Sequence, residues 1–161
     1  MVFVKTLLFV LVVPGFISVG IPYFWLIGRR EWPLPELGPL RLLGWLPIAL
    51  GAALLLRSAW DFSFTGKGTP AIWDAPKVFV AKGWYRYVRN PMYVGVILIV
   101  SGEAVVFEAW NLAGYALFLG LVFHLFVVLY EEPTLRKKFG ATYEQYLKRV
   151  PRWIPTLKRG P

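Results

Sequence analysis

The chain has 161 residues, no cysteine, and 57% hydrophobic against 17% charged residues. Soluble domains run nearer half apolar and a quarter charged, so the composition points to a bilayer, and the missing thiols exclude a disulfide framework or a thiolate metal site. A formal charge of +9 in so apolar a chain reads as cytoplasmic flanks facing anionic lipid headgroups rather than as a nucleic-acid surface.

A bilayer core takes about 20 apolar helical residues, and four stretches approach that length. The first runs from Val2 to Ile27, broken by Pro14-Gly15 and Pro22. It exceeds a signal-peptide core and has no small-residue cleavage site, so it reads as a retained helix. The second runs from Leu40 to Trp60, with Pro47 inside and Arg57 near its end. A polar loop, Asp61 to Asn90, follows, and its Gly66-Lys67-Gly68-Thr69-Pro70 and Asp74-Ala75-Pro76 read as turns. The third and fourth stretches, Met92 to Phe107 and Leu112 to Tyr130, are joined by Glu108-Ala109-Trp110-Asn111 and should form a tight antiparallel hairpin. From Thr134 to Val150, Leu135, Phe139, Tyr143, Tyr146 and Leu147 fall at helical spacing opposite Arg136, Lys137, Lys138, Lys148 and Arg149. That pattern predicts an amphipathic helix lying on a membrane surface or over a site.

The expected fold is therefore all-α: a polytopic membrane protein of about four transmembrane helices, with a helix 3–4 hairpin and a C-terminal amphipathic cytoplasmic helix. It reads as one membrane domain, 1–161, divided into two N-terminal helices (1–60) and a core (61–161). Four spans put both termini and the 61–90 loop on one side. Lys67, Lys77, Lys82, Arg86, Arg89 and the basic tail assign that side to the cytoplasm, while Arg29, Arg30 and Arg41 on the opposite side count against it.

The fourth helix closes on Glu131-Glu132, with His124 seven residues earlier. Seven residues is two helical turns, which predicts one shared face for His124 and Glu131. His124 and Glu103 are ionisable groups within apolar spans. Each marks either a functional site or a polar contact, with the other or with backbone groups, that fixes helix packing. Two acids at a helix C-terminus oppose the macrodipole and require a compensating cation, such as Arg89, Arg136 or a cationic ligand. In Arg89-Asn90-Pro91, Pro91 suits the first turn of the third helix and Asn90 its N-cap. A basic interface anchor accounts for the triplet, and an interfacial aromatic belt would account for Trp84, Tyr85, Tyr87 and Tyr93. The open amides of that helix start also suit an anionic group. Gly66-Lys67-Gly68 is too short for a phosphate loop, and one His among scattered acids makes no metal site.

Two motifs carry a resemblance. Gly83-x-Tyr85-x-Tyr87-Val88-Arg89-Asn90-Pro91-Met92-Tyr93-x-Gly95 and Glu131-Glu132-x-x-Leu135-x-x-x-Phe139-Gly140-x-x-Tyr143-x-x-Tyr146, in this order and at this separation, resemble the isoprenylcysteine carboxyl methyltransferase and phospholipid methyltransferase superfamily. Val150-Pro151-Arg152-Trp153-Ile154-Pro155 is similar to its bacterial members, so the likeness covers roughly residues 64–156. The resemblance implies an integral membrane enzyme using S-adenosylmethionine, with a cofactor pocket built by the last helices and the cytoplasmic segments. Carried over by position, Gly83, Tyr85, Arg89, Asn90, Pro91 and Tyr93 would line that pocket from one side. Glu131 and Glu132 would face it from the other, and His124 would look in from one or two turns deeper. Many members have His where this chain has Asn90, which hydrogen-bonds but does not titrate near neutral pH.

The implied activity is methyl transfer to a lipidic or hydrophobic acceptor, either a phospholipid amine or a prenylcysteine carboxylate, in a prokaryotic inner or plasma membrane. Arg89, Glu131 and Glu132 would carry the catalytic roles. Arg89 would orient an anionic acceptor or the cofactor carboxylate; one acid would bind the cofactor ammonium and one would take a proton from an amine acceptor. The expected partners are the hydrophobic acceptor and anionic headgroups, with neither a metal nor a nucleic acid. Two other readings remain: a non-catalytic membrane scaffold or sensor of the same fold, and a nicotinamide-dependent membrane reductase with a similar C-terminal half.

Overall fold

The computed structural model describes residues 2–26, 36–61, 63–64 and 81–156. The turns expected at 66–70 and 74–76, and Arg29, Arg30, Glu31, Lys67 and Lys77, lie outside the described residues. Among the described residues every regular element is helical. α1 (Val2–Gly15) runs into π turns at Phe16–Gly20 and Pro22–Leu26. A 3-10 segment, Gly38–Gly44, leads into α2 (Trp45–Asp61), and a 3-10 turn at Gly83–Arg86 precedes α3 (Pro91–Val106). α4 (Trp110–Phe126) continues through a π turn, Val127–Glu131, into α5 (Glu132–Arg149).

The prolines of the first stretch widen its helix rather than end it. A proline removes one donor and crowds the carbonyl four residues back, and a π turn relieves that crowding. Side chains supply donors nearby: Ser18 Oγ donates to the Pro14 carbonyl at 2.7 Å, and the Tyr115 hydroxyl to the Ile17 carbonyl at 3.1 Å.

α2, with the 3-10 segment that leads into it, packs along α3 through four glycines. Gly44 meets Gly102 and Gly51 meets Gly95, each pair member seven residues from the next on its own helix. A Cβ on Gly102 would lie 2.5 Å from the Gly44 carbonyl oxygen, and one on Gly95 would lie 2.8 Å from that of Gly51. The obstacles are backbone atoms, which cannot swing aside, so only glycine permits this approach. Close backbone packing through small residues is how helices associate where lipid removes the hydrophobic drive. The core around this crossing holds Leu55, Val96, Ile99, Val100, Ala104, Leu112, Ala116 and Leu119.

The hairpin between α3 and α4 is present. Its linker, Phe107–Ala109, turns at Glu108, which has φ 52°. Glu108 Oε1 accepts the Leu37 N–H at 2.9 Å and ties the hairpin to the entry of α2.

One expected boundary moves. The helix predicted to end at Tyr130 continues from Trp110 to Phe139, 30 residues, or about 45 Å at 1.5 Å per residue. Pro133 does not stop it, because it falls in the first turn of α5, directly after the π turn. The break comes instead at Gly140, with φ 52° and ψ −129°. Gly38–Asp61 and Trp110–Phe139 are long and apolar enough to cross a bilayer, while Leu8–Phe24 and Pro91–Val106 are shorter apolar helices. Their outer faces are bare hydrocarbon: Leu117, Phe118, Leu121, Leu125 and Leu129 are all exposed.

Gly95→Ala is expected to lower stability by about 1–3 kcal/mol, since overpacking here must push two backbones apart. Gly140→Ala meets no neighbour within 4 Å, so its cost is torsional alone, again about 1–3 kcal/mol. Thermal unfolding of both variants in the same micelle measures them, and a Gly95→Ala protein as stable as the parent would show that α2 and α3 are not in backbone contact.

Candidate active site

The Gly83–Tyr93 segment, the π turn and the tail after α5 converge on one carboxylate. Glu132 is 4% exposed. Its Oε1 accepts Arg89 Nη1 at 2.8 Å and Arg152 Nε at 2.7 Å, and its Oε2 accepts Arg152 Nη2 at 3.0 Å. The Arg152 pairing is the bidentate fork that carboxylates favour, and the carboxylate holds the Arg152 guanidinium above its ordinary pKa. The expected compensating cation is therefore Arg89, joined by Arg152. Arg136 pairs elsewhere, with Glu144 at 2.9 Å.

Glu131 is partnered differently. Its Oε1 accepts the Tyr93 hydroxyl at 2.6 Å. Among the described residues it forms no ion pair. Adjacent acids thus have unlike surroundings, one neutralised by two guanidiniums and one held by a phenol.

The contacts also revise the predicted face. Tyr93 stacks on Phe123, with centroids 4.6 Å apart, while donating to Glu131. Trp153 Nε1 donates to His124 Nδ1 at 3.1 Å, beside Arg152 on Glu132. Phe123 therefore shares Tyr93 as a partner with Glu131, a spacing of eight rather than seven. The π turn supplies the extra residue and turns the acid pair about the helix axis. His124 bonds Trp153, and among the described residues no hydrogen bond joins it to Glu131 or to Glu103, whose Oε2 is buried without a partner there. Accepting at Nδ1 leaves the proton of a neutral His124 ring on Nε2.

The wall before α3 is built by backbone constraints. Gly83 has φ +58°, a region L side chains avoid. Tyr85 is buried, and its carbonyl accepts the Tyr146 hydroxyl at 2.6 Å. Burial first, then the neighbouring Tyr146, Glu131 and Asp61, pushes the Tyr85 phenol well above its usual pKa. Burial likewise raises Tyr143 to about 12. Pro91 occupies the first turn of α3 as expected. Asn90 stands at the N-cap position without making the cap hydrogen bond; its Nδ2 donates instead to the Arg152 carbonyl at 3.2 Å.

Arg152 and Trp153 are the residues that sequence reasoning left without a role, although the Val150–Pro155 stretch carries part of the family likeness. They sit on an extended tail laced to the wall. Arg89 N–H donates to the Pro151 carbonyl at 2.9 Å, and Thr156 N–H to the Tyr87 carbonyl at 3.0 Å. Beneath the tail, Tyr143, Tyr146 and Val150 are buried together with Ala81, Leu135, Phe139 and Leu147 packed against them. The arrangement sets an acid that forms no ion pair among the described residues beside a guanidinium pair and tyrosine hydroxyls.

A family profile described as phospholipid methyltransferase matches residues 40–142, and the chain belongs to that family. The match begins in the 3-10 segment before α2, ahead of the stretch that carries the two motifs. The chain is also 35% identical over 82 residues to the protein-S-isoprenylcysteine O-methyltransferase of Schizosaccharomyces pombe. That alignment covers 50% of this chain and 34% of the relative, so the likeness spans about a third of the fission-yeast protein. Apolar helices of bilayer length and membership of a membrane methyltransferase family define an integral membrane protein.

Removing Glu132 leaves two guanidiniums without their anion, so Glu132→Ala is expected to cost about 3–5 kcal/mol. Arg152→Lys keeps the charge but loses the fork, and should cost about 1 kcal/mol, given the partial exposure of Arg152. Denaturant titration in micelles reads both. Equal losses for the two variants would show that the fork matters as much as the carboxylate itself.

Proposed function

We propose that this chain is an S-adenosylmethionine-dependent methyltransferase acting on a lipidic or hydrophobic acceptor at a membrane face. The unequal partnering of Glu131 and Glu132 carries this reading: a carboxylate with no cation of its own, beside one already neutralised, is matched by a ligand ammonium. The cofactor supplies a methyl group on a sulfonium that is its own leaving group, and the protein's part is to bind, orient and exclude water.

In this reading Glu131 binds the ammonium of the methionine end, held in place by Tyr93. Glu132 positions Arg89 and Arg152. The remaining N–H groups of Arg89 address the cofactor carboxylate or an anionic acceptor. Gly83, Tyr85, Asn90 and Pro91 line the wall before α3, and His124, braced by Trp153, lines the deeper part of the pocket. The acceptor reaches the site laterally from the bilayer. A phospholipid acceptor follows the family's description and an isoprenylcysteine acceptor the name of the fission-yeast relative. The whole chain acts as one membrane domain, with two N-terminal helices (1–60) and a cofactor-binding core (61–161). It crosses a prokaryotic inner membrane four times with both termini in the cytoplasm, and α5 lies at that surface as an amphipathic helix in contact with anionic headgroups.

Incubating the purified protein with membrane lipid extract and methyl-labelled cofactor should label a lipid and so name the acceptor class. No transfer, together with no saturable S-adenosylmethionine binding, would sink the proposal; nicotinamide binding in its place would favour a reductase. Glu131→Gln should weaken cofactor binding at least tenfold, the worth of one charge-assisted hydrogen bond, with little change in unfolding temperature. Unchanged affinity would return Glu131 to a structural role and favour the scaffold.

A further inference from the structure

The contacts described so far use one ring nitrogen of His124 and leave the other open. Nδ1 accepts Trp153 Nε1–H at 3.1 Å. An indole nitrogen is a donor only, so this bond holds while the imidazole is neutral with its proton on Nε2. Among the described residues Nε2–H has no hydrogen-bond partner. Nor is it one of the polar atoms sealed inside the molecule without a partner. The ring is part-buried, and Nε2 stands at its accessible edge.

That edge borders hydrocarbon. His124 stands seven residues before Glu131, about 10 Å deeper along the helix at 1.5 Å per residue. Leu121, one turn before it, and Leu125, beside it, belong to the bare apolar face of α4. Its other neighbour in sequence, Phe123, stacks on Tyr93, which holds Glu131. His124 therefore stands where the lipid-facing stripe of α4 meets the wall of the acid pair. An N–H without an acceptor is costly at that depth, and an ionisable side chain within a span marks a ligand contact by default.

We propose that His124 Nε2–H donates to an anionic oxygen of the lipid-soluble methyl acceptor, and that Trp153 is the positioning residue that keeps the proton on that nitrogen. This rests on the methyltransferase reading above and names the acceptor's side of the same site: the deeper part of the pocket is the acceptor's rather than the cofactor's. A molecule arriving laterally from the bilayer passes Leu121 and Leu125, and the donor at their edge is the polar group it meets. The matching chemistry is an oxygen near the atom that takes the methyl. The second carboxylate oxygen of a prenylcysteine supplies it, and so does a phosphodiester oxygen of an amine phospholipid. No proton leaves His124 in this role; it binds and orients.

Full-length protein in lipid nanodiscs, given membrane lipid extract and methyl-labelled S-adenosylmethionine, tests this, with S-adenosylhomocysteine affinity measured alongside. Base-labile label marks a methyl ester and so a carboxylate acceptor; base-stable label marks a methylated amine. His124→Phe should raise the extract concentration at half-maximal rate about tenfold, the loss of one hydrogen bond to a charged group, and leave S-adenosylhomocysteine affinity within about twofold. A Gln amide reaches to where Nε2 stands and an Asn amide to where Nδ1 stands. His124→Gln should therefore recover most of the loss, and His124→Asn, which still offers Trp153 an acceptor, should not. Rescue by His124→Asn as good as by His124→Gln would make His124 a structural partner of Trp153 and overturn the proposal. So would an unchanged half-maximal concentration in His124→Phe, or an equal loss of S-adenosylhomocysteine affinity. Trp153→Phe should shift the half-maximal concentration in the same direction, and no shift removes Trp153 from the positioning role. Should His124→Phe fail to fold, the Gln and Asn variants decide. Wild-type protein that binds no S-adenosylhomocysteine defeats the methyltransferase reading itself, whereas binding without any labelled lipid overturns the acceptor contact alone.

Discussion

One buried carboxylate organises this end of the molecule. Glu132 brings together guanidiniums from residues 89 and 152, which reach it from opposite ends of the core and would repel each other without it. Burying three charges costs several kcal/mol per ion, and that cost is recovered only at hydrogen-bond geometry. The cluster therefore tolerates little play. It fixes the tail that carries Trp153 and hence the ring of His124. It also holds Glu132 between both guanidiniums, while Glu131 accepts the Tyr93 hydroxyl.

Two features of the helices set where that carboxylate stands. The glycine crossing brings the α2 and α3 backbones into contact, so Asp61 ends beside Gly83 rather than a side chain's width away. The π turn at Val127–Glu131 then adds a residue to α4 just before the acid pair. Without it, Tyr93 would not touch Phe123 and Glu131 together. The wide turn also admits Pro133 without ending the helix. At 1.5 Å per residue, Glu131 lies about 30 Å along the helix from Trp110, which is the depth of a hydrocarbon core. The acids thus fall about one hydrocarbon-core thickness along the helix from its start.

Much of the candidate site was legible from residue types and order. Gly83, Pro91, the acid pair and the tyrosines of α5 each obey a local rule: a positive φ, a first helical turn, an ionisable group in an apolar chain, a spacing of three and four. Misread features depended on something non-local. Asn90 has the residue type of a cap, yet the tail offers its amide a carbonyl and the cap bond is not made. The face shared by His124 and Glu131 assumed 3.6 residues per turn, and a π turn leaves no simple mark in a sequence of uniformly apolar residues. Arg152 stood out only within the Val150–Pro155 stretch of the family likeness, with no role of its own.

By itself the sequence determined the class of the protein: a helical chain for a bilayer, with a basic aromatic segment and an acid pair bracketing its last apolar hairpin. Composition and periodicity suffice for that, because solvent and backbone hydrogen bonding act on every residue alike. Which acid is neutralised, which arginine does it, and that Asp61 belongs beside Gly83 were decided only in three dimensions. Those outcomes are set by which side chains meet, and in a buried, low-dielectric setting a partner at 2.7 Å outweighs any number of charges nearer in sequence.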